Sequence, residues 1–108
     1  MNEVVLSPDA VDDLESICRY ISDVLKNPVS ADSIVRVIVT ELERLAMSPE
    51  SGPSLVSKTG FWTDMRYLVI ERKYIAVYRN TGNRTEVMRI YNGRMDYIRD
   101  LFKTEELI

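Results

Sequence analysis

The residues best equipped for chemistry in this chain are the arginines and tyrosines of its second half. Arg66 and Arg79 stand at the ends of short apolar runs, Arg89 sits inside a third and Arg94 just beyond it, and Tyr67, Tyr74, Tyr78, Tyr91 and Tyr97 lie among them. A guanidinium fork matches the oxygens of a phosphate or a carboxylate. A tyrosine beside cations stacks on a base, donates a hydrogen bond, or loses its proton more easily. Both residue types also serve plainer ends, as solvated edge charges and as half-buried strand packing, so residue type alone leaves both roles open. The stretch from Met88 to Phe102 is the densest, with arginines at 89, 94 and 99 and tyrosines at 91 and 97. Within it Arg94 falls in the first turn of an expected helix, where the helix dipole disfavours a cation.

The rest of the composition narrows the chemistry. There is no histidine, which excludes a Ser-His-Asp or Cys-His site. Cys18 is the one cysteine, so no internal disulfide forms and a zinc centre is not expected. No cofactor or metal is implied. No stretch is long and apolar enough to span a membrane, and the start lacks the pattern of a signal peptide, so a cytoplasmic protein is expected. The net charge of −3 argues against a general nucleic-acid binder, but it hides an asymmetry. Residues 1–52 carry 4 basic and 10 acidic side chains, whereas residues 53–108 carry 10 basic and 7 acidic ones. The second half therefore offers a patch able to meet phosphate.

These side chains must be positioned by a small set of elements. Glu3 to Leu6 reads as a short strand. Ser7-Pro8-Asp9 reads as a helix start: a cap, a proline suited to the first turn, and an acid at the positive end of the dipole. Val11, Leu14, Cys18, Ile21 and Leu25 follow at helical spacing and predict one buried face. Asn27-Pro28 stops that helix. Ser30 begins a second, with Ile34, Val35, Ile38, Leu42 and Leu45 apolar, and Ser48-Pro49 ends it. A short joint between them predicts an antiparallel hairpin. Residues 48–60, which include Lys58, read as a loop. The period then changes to that of strands, over 66–71, 74–79 and 86–91, with short turns between them. Asn92-Gly93 breaks the last strand, and 94–102 reads as a short helix. The order β-α-α-β-β-β-α predicts one α+β domain over 1–108, with 103–108 as a tail. The helical hairpin would pack on one face of a small, mainly antiparallel sheet, leaving the other face free.

Taken together, these segments resemble the RelE/ParE-type toxins. The likeness runs over roughly residues 3–102, through Ser7-Pro8-Asp9, the Asn27-Pro28 joint and Ser48-Pro49-Glu50-Ser51-Gly52-Pro53. It is most specific in Arg66-Tyr67-Leu68-Val69, Tyr74-Ile75-Ala76-Val77-Tyr78-Arg79 and Arg89-Ile90-Tyr91-Asn92-Gly93-Arg94-Met95-Asp96-Tyr97. The resemblance implies a bacterial type II toxin, held by a cognate antitoxin that wraps it and that alone would touch operator DNA. The family divides by target. RelE-like members are ribosome-dependent endoribonucleases in which the ribose 2′-OH attacks the adjacent phosphate without a metal. ParE-like members poison DNA gyrase and cut nothing themselves. For the nuclease, the resemblance assigns Arg66 and Arg94 to phosphate stabilisation and Tyr97 to stacking or proton transfer. Arg79, Arg89, Tyr91 and Lys58 would hold substrate. Tyr97, Tyr91 and Glu71 are candidates for the general base. The nuclease, acting on the ribosome and mRNA, is the first expectation and gyrase inhibition the alternative. A third is an inactive member that only binds antitoxin and regulates its operon. The acidic composition and the lack of strand lysines before Arg66 depart from the RelE-like pattern.

Overall fold

The structure, a computed structural model, describes residues 2–55 and 63–93. Strand β1 (Glu3–Leu6) leads into helix α1 (Pro8–Arg19), which widens into a π-helical turn over Tyr20–Val24. Helix α2 (Pro28–Glu43) ends in a tight turn over Arg44–Ala46. Strands β2 (Arg66–Ile70), β3 (Tyr74–Thr81) and β4 (Arg84–Asn92) complete the sheet. The expected helix over 94–102 lies outside the described residues, as do Lys58, Arg94 and Tyr97.

Both helices start as their sequences dictate. The Ser7 hydroxyl accepts the Ala10 N–H at 3.0 Å, and Pro8 occupies the first turn. The same hydroxyl donates to the Met88 carbonyl at 2.7 Å, which ties the start of α1 to β4. Asn27-Pro28 begins α2 rather than merely ending α1. The Asn27 side chain accepts the Ser30 N–H at 3.1 Å, so the helix starts at Pro28, two residues before the expected position.

The sheet runs β1-β4-β3-β2, with β1 parallel to β4 and the other pairs antiparallel. The α+β class and the antiparallel meander agree with the sequence. A register shift falls between Val77 and Tyr78: Arg89 stands opposite Val77 and Val87 opposite Tyr78. Met88 is therefore an extra residue in β4, and Val87 and Ile90 both reach the helical face.

On that face Ile70, Tyr74, Ala76, Tyr78, Val87 and Ile90 close against Ala10, Ile38, Leu42 and Leu45. The buried stripe of α1 is Ala10, Leu14, Ile17 and Ile21. Val11 and Leu25, expected inside, are 40% and 53% exposed. The five-residue π turn changes the phase after Arg19 and carries Leu25 outward. The second face of the sheet is not a bare polar surface. It carries its own apolar cluster of Leu55, Val77 and Tyr91, flanked by Met65, Tyr67 and Ile75.

Candidate functional site

Strand register decides where each arginine goes. Paired residues share a face, so Arg66, opposite Tyr78, projects on the helical side of β2. There its guanidinium donates to the carbonyls of Gly52 at 2.8 Å and Glu50 at 3.4 Å. The cation thus serves as a clasp for the turn over 50–52. The Tyr78 hydroxyl reinforces the clasp from inside by accepting the Gly52 N–H at 2.9 Å. Burial raises the Tyr78 pKa, while the Gly52 N–H and Arg66 oppose the rise. Gly52 is required by space: a Cβ there would lie 2.2 Å from the Tyr67 carbonyl oxygen and 2.7 Å from the Tyr78 hydroxyl.

Arg79 and Arg89 fall on the second face, with Met88 between them. Arg79 NH2 approaches the Met88 sulfur at 3.9 Å and NH1 lies 4.0 Å from Asp64, while its Nε is buried without a hydrogen-bond partner among the described residues. Arg89 is held from α1. Its Nε and NH2 donate to the two Asp13 carboxylate oxygens at 2.8 and 3.0 Å. Asp13 also accepts the Ile90 N–H at 2.8 Å, beyond the point where β1 stops covering the edge of β4. The Arg89 guanidinium lies 4.9 Å from the Tyr91 ring centroid, a cation–π stack. The second face therefore gathers Arg79, Arg89, Tyr67 and Tyr91 around the apolar centre at Val77. Arg66 is directed to the other side. Of the four arginines singled out in the sequence, Arg79 and Arg89 share a face, Arg66 is turned away, and Arg94 lies outside the described residues.

A separate cleft opens on the helical side, where the end of α1 meets the β2–β3 turn. It encloses about 210 Å³. Ile17, Ile21 and Ile90 supply apolar wall, Ser16, Tyr20, Lys73, Tyr74 and Asn92 supply polar groups, and the Asp13 carboxylate that holds Arg89 borders the cleft as its one acid. The turn that leads into it is unusual. Glu71 and Arg72 both have positive φ, 54° and 57°, in a conformation that side chains other than glycine rarely adopt. Lys26, at the end of the π turn, is the third such residue at 53°. Composition gave no sign of this cleft, because its walls come from segments about seventy residues apart in sequence. Among the described residues no group of acids or thiols is arranged to hold a metal. Nor is any described helix long and apolar enough to cross a membrane.

This mixed four-stranded sheet under a helical hairpin has known counterparts. Residues 4–97 match the family model for the ParE toxin of the type II toxin-antitoxin system, parDE. The chain belongs to that family, and so to the RelE/ParE-type toxins. Among solved structures it is similar to a chain of the chromosomal ParDE toxin-antitoxin system from P. aeruginosa. The two are 26% identical with a TM-score of 0.72, over 85% of this chain and 96% of the other. It also shares a fold with YafQ from E. coli strain BL21(DE3), at 15% identity and a TM-score of 0.51, over 86% of this chain and 94% of that one. A point mutant of YafQ from E. coli gives 16% identity and a TM-score of 0.50, over 86% and 94%. No curated protein sequence matches the chain. A toxin of this class implies a cognate antitoxin as partner.

Proposed function

We propose that this toxin acts by docking on a protein target, DNA gyrase, rather than by cutting RNA. The observation that carries the reading is the commitment of two strand arginines. Arg66 directs its fork to two backbone carbonyls, and Arg89 directs its own to Asp13. A cation already neutralised or engaged inside the fold has less to offer a phosphate in a transition state. Burial also raises the pKa values of Tyr74 and Tyr78, so neither serves as a base near neutral pH. Membership of the ParE toxin family points the same way.

The test is induction in bacteria without antitoxin, with mRNA ends mapped by primer extension and plasmid supercoiling followed in parallel. The expected outcome is growth arrest, relaxed or broken DNA, and intact mRNA. Cuts inside translated codons that disappear in Arg66→Ala would replace this reading with the ribosome-dependent nuclease built on Arg66, Arg94 and Tyr97. Undisturbed growth would point to a member that only binds antitoxin and regulates its operon.

A further inference from the structure

The cleft beside Lys73 has the features of a receiving site. Tyr74 lines it, is only 2% exposed, and has no hydrogen-bond partner for its hydroxyl among the described residues. Its ring is buried while its hydroxyl faces the cleft wall shared with Ser16 and Asn92, where a ligand can meet it. The Lys73 ammonium stands 5.7 Å from the centre of the same ring and has no acidic partner among the described residues. Lys26 and Arg72, in the two turns at this end, are likewise unpaired with any described acid. Those turns hold every described non-glycine residue with positive φ, a strain that a bound partner would justify. Around the mouth, Tyr20, Val24 and Leu25 are exposed at 53%, 63% and 53%, an apolar rim on the side of the π turn.

We infer that this end of the toxin is its target-docking surface. One large apolar side chain of the target protein enters the cleft, an acceptor on the target takes the Tyr74 hydroxyl proton in a hydrogen bond, and an adjacent carboxylate meets Lys73. The volume suits a single leucine, methionine or phenylalanine side chain rather than a whole cofactor. The Asp13 carboxylate in the wall is already taken by Arg89, so Lys73, Lys26 and Arg72, unpaired with any described acid, select an acidic flank, and the apolar rim covers the shoulder of the segment that carries the anchor. The inference rests on the protein-docking reading above.

The experiment measures binding of the purified toxin to purified DNA gyrase. It compares the wild type with Tyr74→Phe, Lys73→Glu and Tyr20→Ser, with Arg84→Ala at the far end of the sheet as control. Thermal melts and far-UV circular dichroism check that each variant is folded, and antitoxin binding is measured as a separate readout. Tyr74→Phe removes a hydroxyl that has no described partner, so its melt should match or exceed that of the wild type. The expected result is at least tenfold weaker gyrase binding for Lys73→Glu and Tyr20→Ser, a severalfold loss for Tyr74→Phe, and none for Arg84→Ala. Wild-type affinity in all three cleft variants would overturn the docking surface and leave gyrase as the target. Loss of antitoxin binding with gyrase binding intact would assign the surface to the antitoxin and overturn the inference. A wild type that fails to bind gyrase would bring down the functional reading and this inference together.

Discussion

Asp13 satisfies three donors with one carboxylate: two from the Arg89 fork and the backbone N–H of Ile90. Its side chain is only 16% exposed. Asp13→Ala would strand a half-buried guanidinium and an edge N–H together. We expect a loss of about 2–4 kcal/mol in urea melts, more than for Asp13→Asn, which keeps an acceptor for Ile90. Tyr78 makes a second prediction. Burial raises its pKa and that of Tyr74 above the ordinary 10.0. The unfolded chain therefore loses these protons first, and stability falls as pH rises from about 10 through the raised folded values. A spectroscopic alkaline titration should show the last phenols ionising together with unfolding. Tyr78→Phe should soften that alkaline loss and cost about 1 kcal/mol at neutral pH through the lost Gly52 hydrogen bond. The sequence could suggest that Arg66 and Arg89 were special. It could not reveal what holds them, because Asp13 lies seventy-six residues from Arg89 and the Gly52 carbonyl carries no residue-type signal at all.

The elements were more legible where local chemistry governs them. Ser7-Pro8 announced the start of α1, and the change of period after residue 60 announced the meander. Local rules failed where the path departs from ideal geometry. The π turn rephased the buried stripe of α1, and an extra residue in β4 placed Val87 and Ile90 on one face. The β2–β3 turn is another such place. Glu71 and Arg72 occupy positions where Asn-Gly is the natural choice, since both residues require positive φ. The double change Glu71→Asn with Arg72→Gly should raise stability by about 1–2 kcal/mol, read as a higher melting temperature. The same change removes the Arg72 cation from the turn that leads into the cleft. A more stable toxin that binds its target less well would match the trade between stability and function that the strained turn implies.

At the scale of the molecule, the acidic first half folds as a hairpin over a sheet made chiefly by the basic second half, so the two kinds of charge meet along the edge that Asp13 closes. This arrangement leaves two regions: a second sheet face where Asp13 engages Arg89, and a cleft end whose Lys73, Lys26 and Arg72 pair with no acid among the described residues. The family assignment explains why one small domain needs more than one working surface, since a toxin must meet both a target and the antitoxin that silences it.

The parallel pairing of β1 with β4 also bears on how the chain is made. The partners of the first strand, of the α1 cap and of Asp13 are residues 84–90, the last part of the sheet to be synthesised. Contacts of such long separation form late, because closing the intervening loop must precede any stabilisation from them. While the ribosome is still translating the hairpin, α1 has neither its strand neighbour nor its arginine. The edge that joins β1, the α1 cap and Asp13 to β4 is therefore completed only after residues 84–90 have emerged, so the hairpin waits for the last described strand before it is locked in place.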